Sequence, residues 1–151
     1  LLASSSPCKV VNMKVFHMFG ENDAPGKFIP FLIDKIKNNE PTLDLTPGTQ
    51  TRDFIYVKDV VAAFEYVINA FSDLESYQEF EIGTGASYTV KELAVLIKEI
   101  TSSNTNLNFG GIPFRKGEIM ESKVENFELN KLGWKPLYTI SDGLNHFIHK
   151  L

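Results

Sequence analysis

The stretch GTQTRDFIYVKDVVAAFEYV, residues 48–67, most narrows the folds open to this chain. A glycine turn leads through Arg52 and Asp53 into an apolar strand, Phe54 to Val57, and then without a linker into a helix beginning near Asp59. On that helix Val60, Val61, Phe64, Val67, Ile68 and Phe71 form a wide apolar stripe, and Asp59 suits its positive end. A strand feeding directly into an amphipathic helix is the repeating unit of an α/β fold. The charge pair at the mouth of the strand poses a problem. An unpaired guanidinium is costly to bury, so Arg52 needs an anion, supplied by Asp53, Asp59 or a ligand.

The same alternation runs through the rest of the chain. Residues 10–19, VVNMKVFHMF, read as a strand buried on both faces, as in a mostly parallel sheet. After the Gly-Pro break at 20–26, Phe28, Phe31, Leu32, Lys35 and Ile36 recur at helical spacing, with Pro30 tolerated in the first turn. Short strands are expected around Leu43 to Leu45, at 80–83 and at Leu107 to Phe109. Thr89 with Glu92 three residues on predicts a capping box opening a helix whose Leu93, Leu96, Ile97 and Ile100 face inward. A short helix over 125–132 closes at Gly133, and an amphipathic helix from Ser141 ends the sequence. The length of 151 residues suits a single unit with one core.

Composition removes several functions. A net charge of −4 gives no long-range attraction to nucleic acid or to an anionic membrane surface, and neither is expected as a partner. No apolar run is long enough to span a bilayer. One cysteine, Cys8, excludes an internal disulfide and a multi-thiolate metal site, in keeping with a reducing, cytoplasmic setting. His146 and His149 lack a third ligand nearby in sequence, so no metal site is expected.

Three stretches bear on chemistry. Gly83-x-Gly85 follows a strand and precedes a helix, like a dinucleotide fingerprint. Tyr88, however, occupies the place of the third small residue, and no acidic residue closes a following strand, so a tight turn is expected. Arg52 suits either a structural salt bridge with a neighbouring carboxylate or a fork for phosphate. FRKGE at 114–118 is a second basic loop, which is either solvated surface or a phosphate grip.

Taken in order, these segments resemble the second half of an extended short-chain dehydrogenase/reductase of the NAD-dependent epimerase/dehydratase family, which acts on nucleotide sugars. KVFHMFGEND is similar to that family's R-x-F-N-x-Y-G-P segment. GTQTRDFIYVKDVVAAF resembles R-D-[FYW]-[IV]-[HY]-V-x-D-[VL], and FEIGTGASYTVKELAVLI resembles N-[IV]-G-T-G-x-x-x-[ST]-V-x-E-[LI]. FRKGEIMES and LNKLGWKP resemble its R-x-G-[DE] and L-G-W-x-P ending. GENDAPGKFIPFLI is also similar to the branch making dideoxy sugars on a cytidine diphosphate carrier.

The resemblance implies the C-terminal part of a Rossmann-type NAD(P)-binding fold with a smaller α/β substrate-binding domain. Residues 10–19 and 54–83 would belong to the parent sheet. It implies that Arg52 and Arg115 grip a substrate diphosphate and that Glu118 meets the nucleotide ribose. Lys27 and Phe28 would cover phosphate and base, while Leu43 and Leu45 would line the base slot with backbone and apolar side chain. Val15 would approach the nicotinamide through its backbone, and His17 stands where the family usually has a substrate-contacting Asn. Glu21 replaces the usual Pro and Glu81 the usual Asn.

Family chemistry moves a hydride between sugar and nicotinamide while a Tyr with a Lys four residues on handles the proton. No tyrosine of this chain has a Lys at that spacing, so no catalytic residue is expected here. The dyad and most of the NAD or NADP site would lie before Leu1, with LLASSS the tail of the dyad helix. The expected partner is a nucleoside-diphosphate sugar. The parent is implied to be a homodimer, and this chain alone is expected to bind cofactor poorly and not to turn over. A non-catalytic nucleotide-binding sensor of the same fold is the alternative.

Overall fold

The computed structural model describes residues 8–150; the reading of LLASSS as a helix tail falls outside them. The described strands are β1 (Val10–Val15), β2 (His17–Phe19), β3 (Thr42–Leu45), β4 (Thr51–Arg52), β5 (Phe54–Tyr56), β6 (Tyr77–Ile82), β7 (Tyr88–Thr89), β8 (Asn106–Phe109) and β9 (Glu121–Ser122). The helices are α1 (Phe28–Lys37), α2 (Val57–Asn69), α3 (Val90–Thr101), α4 (Phe127–Lys131) and α5 (Ile140–Lys150). β1 pairs with β6, β2 with β5 and β3 with β8, all parallel. Parallel pairing with helical crossovers is the α/β arrangement that the alternating pattern implies.

Residues 10–19 are two strands rather than one. Phe16 donates its N–H to the Ile82 carbonyl at 3.1 Å, and past it the chain leaves β6 and pairs with β5. Nor is the segment buried on both faces. Phe19 is buried, but Val15 and Met18 are exposed; among the described residues β1 has β6, and β2 has β5, as its one strand neighbour.

The helices bury the following faces, and that of α2 differs from the expected stripe. On α1 the buried side chains are Ile29, Pro30, Leu32, Ile33 and Ile36, while Phe28 and Phe31 are exposed. On α2, Val60, Ala63 and Val67 are buried, and Val61, Phe64 and Ile68 look outward. The capping box of α3 forms as read: Glu92 N–H donates to Thr89 Oγ1 at 3.0 Å and Thr89 N–H to Glu92 Oε2 at 2.8 Å. A matching pair opens α5, where Thr139 and Asp142 exchange the same bonds at 3.0 and 3.1 Å.

Two cores result. The larger one gathers α1, α3 and α5 on β2, β3 and β5. The smaller packs α2 and β6 around Ile55, Leu129 and Trp134. Helix α5 approaches the first closely at Gly143, where a Cβ would lie 2.9 Å from Phe19 and 3.0 Å from Tyr56. Any larger residue there would overpack the contact.

Glu21 ties the loop after β2 to the end of α5. Its Oε1 accepts from Tyr56 Oη at 2.7 Å and pairs with Lys150 Nζ at 2.9 Å. The Tyr56 hydrogen bond chiefly, and Lys150 after it, hold the Glu21 carboxyl down to about 2. A depressed carboxylate contributes stability above its unfolded value, and that contribution disappears as pH falls through the folded value. Stability should therefore fall between pH 4.5 and about 2, and Glu21→Gln should flatten that slope in urea titrations at stepped pH. An equal slope in both proteins would contradict the tie.

Candidate functional site

The site is built around the two-residue strand β4. β4 runs antiparallel to β7 and parallel to β9, so the chain from the far end of the sequence lies beside Arg52. Thr51 N–H donates to the Met120 carbonyl at 2.8 Å and Asp53 N–H to the Ser122 carbonyl at 3.1 Å. These bonds bring the loop 113–120 across the strand. Between them opens a hollow of about 300 Å³ lined by His17, Arg52, Arg115, Lys116, Glu118 and Ser122 among others. Arg52 and Arg115, 63 positions apart, thus face one cavity.

The anion that Arg52 requires is neither of its acidic neighbours. Arg52 Nη2 meets Glu118 Oε1 at 2.7 Å, and Nη1 donates to the Thr51 carbonyl at 2.7 Å. Asp53 is fully buried and turned the other way. Its carboxylate accepts from Thr84 N–H, Thr84 Oγ1 and Gly85 N–H, each at 2.8 Å. The Gly83-x-Gly85 turn is therefore filled by a side chain of the protein itself. Gly83 is required for close approach, since a Cβ would fall 2.4 Å from Val124 and 2.9 Å from the Asp53 carboxylate.

Asp59 is likewise occupied, with the backbone of another segment. Its carboxylate accepts from Leu137 N–H at 2.9 Å and Tyr138 N–H at 3.1 Å, and its carbonyl from Trp134 Nε1 at 3.2 Å. That role adds to the place of Asp59 in the first turn of α2, at the helix's positive end.

Around the hollow the charges are unevenly engaged. Among the described residues Arg115 has no ion pair and no side-chain hydrogen bond. The His17 imidazole is pushed below its ordinary value, first by desolvation and next by the charge of Arg52, against the opposing pull of Asp53. It therefore stands neutral near pH 7, able to donate and accept one hydrogen bond each. The His17 ring meets Phe54 edge-on at 5.9 Å.

The remaining candidates lie outside the lining of this hollow. Lys27 pairs with Asp23 at 2.7 Å at the start of α1, with exposed Phe28 beside it. Leu43 and Leu45 bury their side chains in the larger core, while β3 presents Thr42 and Asp44 outward. Val15 ends β1 opposite Ile82 and is exposed. Lys116, from the basic loop 114–118, and Ser122 also line the hollow. Ser122 carries no sequence signal, because it belongs to a strand of two residues.

Among the described residues no cluster of His, Cys, Asp or Glu is placed to hold a metal, and no helix is long and apolar enough to cross a membrane. A nicotinamide dinucleotide, implied by the resemblance, would need a backbone cradle for its diphosphate. The Gly83-x-Gly85 turn has its Thr84 and Gly85 amides bonded to Asp53, so these residues do not fit that role.

Comparison with known proteins gives a consistent result. The model of the NAD dependent epimerase/dehydratase family matches residues 2–83. CDP-abequose synthase of Salmonella muenchen is 38% identical over 138 residues, covering 91% of this chain and 46% of that protein. Among solved structures, UDP-glucose 4-epimerase of Thermotoga maritima with UDP-glucose superposes with a TM-score of 0.84 at 25% identity, over 97% of this chain and 47% of that one. MoeE5 in complex with UDP-glucuronic acid and NAD gives 0.80 at 25% identity, over 93% and 46%. The chain spans about half the length of the curated relatives it matches. With the family model covering more than half of its residues, this chain belongs to the NAD-dependent epimerase/dehydratase family.

Proposed function

We propose that this chain is the nucleotide-sugar-recognising portion of an NAD(P)-dependent enzyme that epimerises, dehydrates or reduces the sugar of a nucleoside-diphosphate sugar. The observation that carries the reading is the convergence of Arg52 and Arg115 on one hollow, with Arg115 unengaged. Guanidinium forks suit paired phosphoryl groups in geometry and charge. The similarity to CDP-abequose synthases favours a cytidine diphosphate carrier. In this reading His17 supplies the sugar side of the pocket with a neutral donor and acceptor, and Lys27 and Phe28 cover the nucleotide.

The residues of this chain bind and orient. The proton-transferring Tyr-x-x-x-Lys is not among them, so the chain alone is expected to form no product from nucleotide sugar and NAD(P). Lyase, isomerase and reductase outcomes all remain within this reading, as does a cytoplasmic homodimer for the intact enzyme.

Calorimetric titration with cytidine diphosphate tests it. A hydrogen bond to a charged group contributes about 1.5–3 kcal/mol. Arg115→Ala, which has no internal partner to give up, should therefore weaken binding about 10- to 100-fold. Arg52→Ala should act in the same direction. Wild-type affinity in both variants would rule out the diphosphate grip.

A further inference from the structure

The hollow carries more positive charge than its two arginines account for. Its lining includes three cations, Arg52, Arg115 and Lys116, against one carboxylate, Glu118. His17 adds no charge near neutral pH, because desolvation and the charge of Arg52 push its imidazole below the ordinary value. Glu118 Oε1 lies 2.7 Å from Arg52 Nη2, and the pair is largely shielded, with side-chain exposures of 12% and 20%. That pair cancels within itself. The charges left to face a ligand are Arg115 and Lys116, both exposed and, among the described residues, both without an ion pair or a side-chain hydrogen bond.

One turn carries the two. Glu118 N–H donates to the Arg115 carbonyl at 3.1 Å and Gly117 stands at φ +78°, and the curvature lets adjacent side chains line the same cavity. The diphosphate of a nucleotide sugar carries one negative charge on each phosphoryl group. An unengaged guanidinium beside an unengaged ammonium matches that pair in number and in sign. The arginine contributes a fork of fixed geometry, the lysine a point charge on a flexible stem.

We propose that Lys116 is a further substrate-binding residue, a mobile cation that meets the diphosphate together with Arg115. The inference rests on the proposed nucleoside-diphosphate reading and deepens it, since the family resemblance assigns that diphosphate to the two arginines alone. Because its head group is solvated, Lys116 acts through an exposed and screened attraction. Its effect is therefore smaller than that of Arg115 and fades as salt is added.

Calorimetric titration with cytidine diphosphate at about 20 mM and about 300 mM salt tests the assignment. Lys116→Met keeps much of the stem and removes the charge. At low salt it should weaken binding about fivefold and at high salt by less than about twofold, so that wild type and variant converge. Lys116→Arg should bind as the wild type does, and the charge reversal in Lys116→Glu should about double the loss on a logarithmic scale. Unfolding midpoints should stay at the wild-type value, since the side chain is exposed. A loss that is shared by Lys116→Arg and does not respond to salt would mean that the side chain acts by shape, and would overturn the inference.

If Arg115→Ala weakens cytidine diphosphate while Lys116→Met equals the wild type at both salt concentrations, the assignment of Lys116 falls and the functional reading stands. If the wild type binds no cytidine diphosphate, both fall together.

Discussion

Trp134→Ala should destabilise the fold by about 3–5 kcal/mol, the range for removing a large aromatic from a packed interior. Trp134 is 1% exposed and heads the largest fully buried side chains. It fills the smaller core with Ile55, Val60, Phe80 and Leu129. It is also a fastener. Its Nε1 reaches the Asp59 carbonyl in α2, and its own N–H donates to the Leu129 carbonyl at 3.2 Å as α4 ends. Gly133, at φ +88°, makes the turn that swings the indole inward. Domains of this size have only about 5–15 kcal/mol in total. Urea denaturation should accordingly show a large drop in midpoint, with Trp134→Phe falling between the two. A loss below about 1 kcal/mol would mean that α4 and the residues after it contribute little to the cooperative unit.

Asp53→Ala carries the second large effect. Three donors, Thr84 N–H, Thr84 Oγ1 and Gly85 N–H, lose their acceptor at once; Asp53 is fully buried, whereas Thr84 is half-buried and Gly85 exposed, so water replaces part of what they lose. A hydrogen bond to a charged group contributes about 1.5–3 kcal/mol, and with water replacing part of the loss a total of about 2–3 kcal/mol is expected. Asp53→Asn keeps the size and one acceptor oxygen but turns an NH₂ toward a donor, and should recover only part. Hydrogen exchange reports locally: the Thr84 and Gly85 amides should lose protection in Asp53→Ala beyond the loss of global stability. Amides that keep their excess protection would show that another group had taken over the cap.

The alternation of strand and helix was legible because each element carries its own period, and the start of α3 because Thr89 and Glu92 lie three residues apart. The faces were not. α2 carries apolar residues over most of its girth, so periodicity marks Val61, Phe64 and Ile68 as inward as readily as Ala63 and Val67. Helical spacing alone likewise does not distinguish exposed Phe28 and Phe31 from buried Leu32 and Ile36. The strands β4, β7 and β9 escape sequence reading because two residues hold no pattern and their partners lie far along the chain. The partner of Arg52 is hidden for that reason too. Adjacent Asp53 and nearby Asp59 look like its natural counterions, whereas Glu118 is 66 positions away. Candidate residues at the hollow came from resemblance to family segments, and distance alone could not have joined them.

In an extended backbone neighbouring side chains leave on opposite sides, and here that geometry splits a dipeptide into two separate jobs. Arg52 looks out over the hollow, and Asp53 is locked into the frame behind it. A substitution at Arg52 therefore alters the hollow, whereas one at the adjacent Asp53 strikes the frame that holds the 83–85 turn. Exchanging the two residues would keep the net charge and composition of the chain while forfeiting both jobs.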